Sequence, residues 1–401
     1  MLECHEIRNG ENMDTQRIRE SIPVTRNTIY MNTGWSGPSP AQVTRRIQDQ
    51  IELEMNEGPA TVDTMPRNRA VRDEVTNAIA ELLNAPPDTV ALTQRTTHGQ
   101  TLVLNGMDWH QGDELVTCSL EHPSVMVPSL ILQETHGVKV RVADIAPLDD
   151  RETILSKLEA MISPSTRLVF LSHIQFTCGL RLPIREIADL AHLRGAYLLV
   201  DGAQGGGQVA LDMDALDCDA YALPGQKWLL GPEGTGALYV RKELLPEITP
   251  RYPASGAVSG HSWEDGTVTL TPDAAGKFAS STPSIALLAG MAEAVAFHQE
   301  AGGSAEVEAR TMQLADAMKG MLSRISGITL TCPLDPEMSS GLVTFAIEGW
   351  EPAKMVEALW EKGIAGRQVS DPAAVRLCTA FFNTEDEIEQ VGRALMDITG
   401  T

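Results

Sequence analysis

The chain has 401 residues, of which 43% are hydrophobic, and its formal net charge at pH 7 is −23. This length and composition predict a globular protein with a large core and room for more than one domain. The negative charge argues against a nucleic-acid or anionic-membrane surface, and no apolar run approaches the length of a membrane span. The polar, acidic N-terminus is unlike a signal peptide, so we expect a soluble cytoplasmic protein.

The cysteines are scattered, and none belongs to a CxxC pair. The six are Cys4, Cys118, Cys178, Cys218, Cys332 and Cys378. This spacing argues against a zinc site and against a disulfide framework. We therefore expect no metal and interpret each cysteine as a buried or half-buried thiol.

The first part of the chain contains a polar leader, a loop and a helix. We interpret residues 1–29 as the leader and residues 30–40, YMNTGWSGPSP, as a turn-rich loop. Apolar residues recur at helical spacing over Met65–Asn84, which predicts a helix that Pro86 ends.

Short apolar runs then alternate with amphipathic stretches. The runs are Val90–Thr93, Glu114–Thr117, Val138–Val142, Leu168–Ser172, Ala196–Val200, Ala220–Leu223 and Ala237–Val240. This alternation predicts the α/β class, with a mostly parallel seven-stranded sheet covered on both faces. Ligands of such sheets bind outside the carboxyl ends of the strands. Thr96, Glu121, Asp201 and Lys227 each follow a run at a position of that kind.

The composition changes after Arg251. Residues 251–283 are rich in Gly, Ser, Thr and Pro, and we expect loops near the site or a dimer contact. Ile285–Glu300 is an Ala-rich helix, and residues 304–401 form a smaller α+β unit. We therefore divide the chain into a large domain, 30–270, and a small domain made of 1–29 and 271–401.

An acid and a lysine end neighbouring strands in the stretch 196–240. A carboxylate can pair with the nitrogen of a pyridine ring, and an amine can form an imine with an aldehyde. Asp201 could instead be a helix N-cap, and Lys227 a surface lysine. Their joint occurrence with Gln204 is more specific than any of the three alone, and it predicts pyridoxal 5'-phosphate (PLP) as cofactor.

The same stretch resembles the class V aminotransferase superfamily of fold-type I PLP enzymes, which includes cysteine desulfurases and C–S lyases. The resemblance extends from Asn32 to about Leu395. It rests on Gly106–Glu114, Cys118–Ser124, Phe170–His173, Val200–Gln204 and Arg367–Arg376. These segments are most similar to those of cysteine and cystine C–S lyases. The resemblance implies a large PLP-binding domain and a smaller α+β C-terminal domain.

The resemblance also implies roles for residues around the cofactor ring. Lys227 would form the imine and move the substrate proton, and Asp201 would pair with the ring nitrogen. Gln204 would hydrogen-bond the phenolic oxygen. His122 would stack on the ring, and its alternative is a buried structural histidine.

A second group would hold the cofactor phosphate. Thr96, Thr97 and His98 match a motif at a helix N-terminus, where backbone N–H groups favour a phosphate. Gln226 stands where the family usually has histidine, and it can still donate to a phosphate oxygen. Pro224 lies near a position where the family has a hydroxyl.

Two further matches concern the partner subunit and the substrate. Ser281 and Thr282 would reach the phosphate of the partner subunit, which implies a homodimer with a shared active site; the alternative is a helix N-cap. Arg376 would bind the substrate carboxylate and Arg367 would contact the substrate as well. The alternative for both arginines is a surface salt bridge.

The segment between these arginines, QVSDPAAV, lacks the cysteine that persulfide-forming desulfurases place there. The sequence therefore favours β-elimination from cysteine, cystine or an S-substituted cysteine, giving pyruvate, ammonia and a thiol or persulfide. A cysteine desulfurase or selenocysteine lyase-like enzyme, an epimerase and an aminotransferase remain open. A non-catalytic protein with the PLP fold is a further alternative.

Overall fold

The computed structural model describes residues 13–254, 257–271, 274–279 and 281–400. Cys4 and the first part of the predicted leader lie outside them. Within these ranges, no helix is long and apolar enough to cross a membrane, and no group of three or more His, Cys, Asp or Glu residues could hold a metal ion.

The helices follow one another along the chain as α1 (Thr15–Glu20), α2 (Ala41–Glu57), α3 (Thr64–Leu82), α4 (Thr96–Gly106), α5 (Pro123–His136), α6 (Arg151–Met161), α7 (Ile184–His192), α8 (Met213–Leu216), α9 (Ile285–Glu300), α10 (Gly303–Leu322), α11 (Pro352–Glu361) and α12 (Glu385–Thr399). The strands are β1 (Ile29–Tyr30), β2 (Val90–Thr93), β3 (Glu114–Cys118), β4 (Lys139–Ala143), β5 (Thr166–Ser172), β6 (Tyr197–Asp201), β7 (Ala220–Pro224), β8 (Gly236–Val240), β9 (Val258–Ser262), β10 (Thr267–Leu270), β11 (Ile328–Leu330), β12 (Leu342–Ile347), β13 (Ile364–Ala365), β14 (Arg367–Ser370) and β15 (Ala373–Cys378).

A seven-stranded sheet forms the centre of the molecule, in the order β2-β8-β7-β6-β5-β3-β4. Only β8 runs antiparallel to its neighbours, which confirms the prediction of a mostly parallel sheet in an α/β fold. The central strands are nearly continuous apolar runs because helices cover both of their faces. β8 is reversed because no helix lies between β7 and β8 to carry the chain back for a parallel pairing.

A second, four-stranded antiparallel sheet, β11-β12-β15-β14, lies in the C-terminal part of the chain. Its core includes Val343, Phe345 and Leu377, and also Met31 from the N-terminal region. The N-terminal segment is joined to this unit because β1 pairs with β13 in parallel. Part of the predicted leader is therefore folded, and Ile18 and Ile22 are buried in the main core.

Two further segments differ from what the sequence analysis predicts. The segment 251–283, predicted as loops, contains the antiparallel hairpin β9–β10. Helix α9 packs against α2 and α3, which belong to the predicted large domain, although it lies beyond the boundary at 270. The apolar character of α9 on all sides explains this central position. The division into two domains stays a prediction.

An ion-pair network at the amino ends of β6 and β7 predicts a pH-dependent stability. His192 Nε2 lies 2.9 Å from Asp219 Oδ2, and this hydrogen bond raises the pKa of His192. The charged pair is thus fully present below the pKa of an unfolded histidine, about 6.5, and is lost as the pH rises through the higher folded value. We expect His192→Gln to lower the free energy of unfolding by about 1 kcal/mol near pH 5.5 and by less near pH 9. Denaturant titrations at the two pH values measure this, and an equal loss at both would contradict it.

Candidate active site

A cavity of about 310 Å³ lies at the carboxyl ends of β5, β6 and β7. Nine of the predicted site residues line it: Thr96, Thr97, His122, Asp201, Gln204, Gln226, Lys227, Arg367 and Arg376. They meet there because parallel strands end at one edge of the sheet and the β14–β15 hairpin lies across that edge. His98 and Thr282 are not among the lining residues.

Lys227 lies in the turn that follows β7 and is half-buried. The backbone of this turn is held by Gly37, whose N–H donates to the carbonyl of Gln226 at 2.7 Å. A Cβ at Gly37 would lie only 2.1 Å from the carbonyl oxygen of Lys227, so the approach requires glycine. Desolvation lowers the pKa of Lys227 to about 8, with Asp201 opposing the shift and the two arginines adding to it. The neutral, nucleophilic amine is therefore accessible near physiological pH.

Asp201 ends β6 and is 2% exposed. Its Oδ1 accepts a hydrogen bond from the backbone N–H of Ala203 at 2.8 Å, and its Oδ2 accepts one from the hydroxyl of Ser124 at 3.2 Å. These two donors orient the carboxylate where a cationic ring N–H could meet it.

The side chain of Gln204 is held in one orientation. Trp228 Nε1 donates to Gln204 Oε1 at 2.9 Å, and Gln204 Nε2 donates to the carbonyl of Gly34 at 2.9 Å. Because an indole N–H can only donate, the amide cannot be reversed. One N–H of Gln204 remains to bind a ligand oxygen. This use of Trp228 was not predicted, since nothing in the sequence links it to Gln204.

His122 caps α5 rather than lying in the core. Its Nδ1 accepts from the backbone N–H of Ser124 at 3.0 Å, and its ring contacts Phe176 edge to face at 4.8 Å. The side chain is exposed, so the buried structural histidine considered as the alternative is wrong. Desolvation by the cavity walls lowers the pKa of His122, and Lys227 lowers it further. The imidazole is therefore neutral at pH 7.

The N-terminus of α4 opens into the cavity with Thr96 and Thr97 in its first turn. The N-cap, Arg95, makes no side-chain capping bond, so the first N–H groups are available for an anion. Arg95 also lines the cavity, which was not predicted. His98 is turned back, and its Nδ1 accepts from the backbone N–H of Gln94 at 3.2 Å.

Ser281 and Thr282 are exposed and lie before α9. Thr282 lines a second cavity, of about 360 Å³, together with Arg69 and Arg72. The N-cap of α9 is Ser284, whose hydroxyl accepts from Leu287 N–H, so the capping alternative for Ser281 and Thr282 is wrong.

Arg367 and Arg376 are paired residues of the β14–β15 hairpin. Arg376 is 1% exposed, and its Nη1 donates to the carbonyl of Phe176 at 2.7 Å. Its Nε and Nη2 are buried and have no partner within the described residues. The guanidinium carbon of Arg367 lies 3.5 Å from the centre of the Trp35 ring. Burial and the charge of Arg376 lower the pKa of Arg367 to about 10.

Neither arginine forms an ion pair with any described residue, so the surface salt-bridge alternative is not supported. Buried guanidinium nitrogens without acceptors are costly unless a ligand supplies oxygens. A carboxylate fits this requirement because it can accept from two guanidinium N–H groups at once.

The cavity residues fit the three reactive parts of PLP. Lys227 supplies an amine for the aldehyde, Asp201 a carboxylate for the ring nitrogen, and the first turn of α4 free N–H groups for the phosphate. Gln226 Oε1 is also buried without a partner within the described residues, which leaves polar capacity beside Lys227.

Known proteins resemble this chain over most of its length. The family model "Aminotransferase class-V" matches residues 29–391. A probable cysteine desulfurase of Methanothermobacter thermautotrophicus is 30% identical, with 97% of this chain and 99% of the relative covered. Isopenicillin N epimerase of Streptomyces clavuligerus is 28% identical, with 96% and 99% covered. The cystine C–S lyase C-DES, solved with its reaction product cysteine persulfide, superposes with a TM-score of 0.88 at 28% identity over 94% of this chain and 99% of that one.

The family match covers most of the chain, and the fold agrees with that of C-DES. A further C-DES structure holds glycine linked to its PLP cofactor and has a TM-score of 0.89. The chain therefore belongs to the class-V aminotransferase family and is an enzyme with pyridoxal 5'-phosphate as its cofactor.

Proposed function

We propose that this enzyme cleaves cysteine, cystine or an S-substituted cysteine by β-elimination, giving pyruvate, ammonia and a thiol or persulfide. The observation that carries the proposal is the β14–β15 hairpin between Arg367 and Arg376. Ser370 pairs with Ala373, so the strands are joined by a tight turn with no cysteine in it. A desulfurase that takes sulfur by nucleophilic attack needs a thiol that reaches the substrate.

The other cysteines do not replace that thiol. Every cysteine within the described residues is buried. Burial raises the pKa of Cys178 and of Cys218 to about 12, so both stay protonated at pH 7. Cys378 is also buried, and its Sγ would lie 3.0 Å from a Cβ placed on Gly34. Its side chain is not among the residues that line the active-site cavity.

The residues of this chain then have defined tasks in elimination. Arg376 binds the α-carboxylate and holds Cα near Lys227, whose amine takes the α-proton. PLP, when bound, withdraws the electron pair left at Cα. Asp201 keeps the proton on the ring nitrogen. The C–S bond breaks, sulfur leaves as a thiolate or persulfide, and water converts the released unsaturated amine to pyruvate and ammonia.

The proposal also includes the other residues predicted to hold the cofactor, with the exception of the side chain of His98. Gln204 hydrogen-bonds the ring oxygen with its remaining N–H, and His122 stacks on the ring. Thr96, Thr97 and Gln226 hold the phosphate. The side chain of His98 is turned towards Gln94, so we give it no direct contact with the phosphate.

Two other reactions have support from relatives. A relative named as a probable cysteine desulfurase supports sulfur transfer with alanine as product. Isopenicillin N epimerase supports inversion at Cα, which requires the same removal of the α-proton. The hairpin without a thiol argues against sulfur transfer, whereas epimerisation, like elimination, needs no protein thiol.

Product analysis distinguishes these reactions. We expect L-cystine to give pyruvate, ammonia and cysteine persulfide in equal amounts, without added reductant or 2-oxo acid. Cys378→Ser should leave the pyruvate yield unchanged, because no protein thiol takes part. Alanine as the main product would overturn elimination in favour of desulfuration, a D-isomer would indicate epimerisation, and dependence on a 2-oxo acid would indicate transamination.

The proposal includes a cytoplasmic homodimer with a shared active site. Thr282 is exposed and lines a different cavity from that of Lys227, and a second copy would bring it to the phosphate. The surface of α2 and the following turn also exposes apolar side chains, with Met55 73% and Val62 89% accessible. Exposed apolar patches of this kind mark interaction surfaces.

Mixed dimers test the shared site. We expect Lys227→Ala and Thr282→Glu homodimers each to be impaired, the second because a carboxylate would repel the phosphate. Mixing them should restore about half of the wild-type activity per mixed dimer, since one of two symmetric sites is then intact. No recovery in verified mixed dimers, or a monomer in sedimentation, would contradict this assignment.

A further inference from the structure

The hydroxyl of Ser124 lies between two of the groups that face the cofactor. Ser124 Oγ is 2.8 Å from His122 Nδ1 and 3.2 Å from Asp201 Oδ2. Ser124 is the second residue of α5, is half-buried and lines the active-site cavity. Apart from its hydrogen bond to Asp201, its side chain has no role in the proposed reaction.

A serine hydroxyl has one proton and can donate it to only one of these neighbours at a time. When Nδ1 of His122 is unprotonated, its single lone pair accepts from the backbone N–H of Ser124 at 3.0 Å and is shared with the hydroxyl of Ser124 at 2.8 Å. The hydroxyl proton is then shared between Nδ1 at 2.8 Å and Asp201 Oδ2 at 3.2 Å, and its bond to the carboxylate is weakened. When Nδ1 carries a proton, it must donate to Ser124 Oγ, and the hydroxyl proton turns to Asp201 Oδ2.

The two arrangements therefore differ in the hydrogen bonding of Asp201. Without the hydroxyl, only the N–H of Ala203 donates to this carboxylate within the described residues, and its charge is less compensated. With the hydroxyl, a second donor competes with any ligand N–H for the same oxygens. The strength of Asp201 as a partner for the ring nitrogen thus depends on the proton at His122.

The surrounding charges decide which arrangement prevails. Lys227 from the turn after β7 and Arg367 and Arg376 from the β14–β15 hairpin disfavour a proton on His122, while Asp201 favours one. The N-terminus of α5 disfavours it too, since His122 caps that helix. Glu121, next to His122 in the chain, is buried, and burial raises its pKa to about 7, so it is only partly charged near neutral pH. The neutral histidine is the resting form, and a substrate carboxylate on the arginines would weaken their opposition to its protonation.

We propose that Ser124 is a positioning residue that couples the protonation of His122 to the hydrogen bonding of Asp201. The inference rests on the PLP site of the proposed function but not on which reaction follows. The Ser124 hydroxyl contacts both His122 and Asp201, so neither of these two residues could take its place between them.

The spectrum of the bound cofactor tests this coupling without turnover. The holoenzyme is titrated with acid and base, and the midpoint of the cofactor absorbance change is measured with and without His122→Gln. We expect this replacement to shift the midpoint by about one pH unit in the wild-type background. In the Ser124→Ala background, the shift should fall to less than half. Ser124→Thr, which keeps the hydroxyl, should restore it.

Equal shifts in all three backgrounds would overturn the proposal, as would loss of the shift in Ser124→Thr with normal thermal unfolding. If Ser124→Ala does not fold, the same comparison is made with Ser124→Gly, which also lacks the hydroxyl. Failure of this relay through Ser124 can be distinguished from failure of the proposed β-elimination. Pyruvate formation without coupling would reject only the relay, whereas coupling with alanine as product would reject only the elimination.

Discussion

Replacing Lys227 by alanine is expected to reduce turnover by about 10⁴-fold or more. Lys227 is an amine that lines the cavity together with Asp201, and it lies in the turn after β7. Without it, neither covalent attachment of the cofactor aldehyde nor removal of the α-proton has a side chain to perform it. Lys227→Arg is the matched control, because it keeps the charge but cannot lose its proton under these conditions.

Borohydride reduction followed by peptide mass spectrometry measures the attachment directly. Wild-type protein should carry the reduced cofactor on the peptide that contains Lys227, and both variants should carry none. Cofactor on another lysine, or activity in Lys227→Arg within tenfold of wild type, would contradict the assignment.

The pH dependence of cofactor capture follows from the same residue. Desolvation lowers the pKa of Lys227 to about 8, and only the neutral amine attacks an aldehyde. The rate at which apoenzyme captures PLP should therefore rise with pH and level off above about pH 8, whereas an ordinary lysine would keep accelerating towards about pH 10. Stopped-flow absorbance at several pH values records the midpoint.

Replacing Arg376 by alanine is expected to lower kcat/KM by about 10²- to 10⁴-fold, mainly through a higher KM. Two charge-assisted hydrogen bonds to the substrate carboxylate would be lost, each contributing about 1.5–3 kcal/mol. The cofactor should remain bound, because its amine, carboxylate and helix partners are untouched. Arg367→Ala is the matched comparison. It should cost less, since Arg367 is only partly buried and stacks on Trp35.

A substrate without carboxylates shows whether Arg376 acts by binding the substrate carboxylate. Wild-type protein should prefer cystine to cystamine strongly, and Arg376→Ala should lose most of that preference. In the absence of substrate, the lost bond to the Phe176 carbonyl and the cavity left behind should lower the thermal stability of the variant. Removal of two guanidinium nitrogens that are buried without acceptors within the described residues should offset part of this loss. Release of PLP or an unchanged preference would contradict the role.

Prediction from the sequence was most successful for the strands and for the residues that lie at or just after their carboxyl ends. The seven apolar runs became the strands of the central sheet; Asp201 ends β6, and Lys227 lies in the turn after the neighbouring strand β7. Burial on both faces makes such strands recognisable as continuous apolar runs. The family resemblance supplied Arg367 and Arg376, and their pairing on one hairpin explains why both reach the cavity.

Prediction was least successful for side-chain direction and for contacts between distant segments. His98 belongs to the predicted phosphate motif, yet it turns back to the N–H of Gln94. Ser124 and Trp228 were visible in the quoted segments, but no local pattern connects them to Asp201 or Gln204. Such contacts depend on rotamers and loop paths that sequence spacing does not encode.

The sequence by itself predicted the α/β fold, because strand periodicity is a local property, and together with the family resemblance it predicted the cofactor and the residues proposed to hold it. The tertiary structure alone decided how these residues interact. It brings the carbonyl of Gly34 to Gln204, leaves nitrogens of Arg376 without partners, and sets the hydroxyl of Ser124 between His122 and Asp201. Each contact joins segments far apart in the chain, and only the packing of the whole molecule fixes their distances.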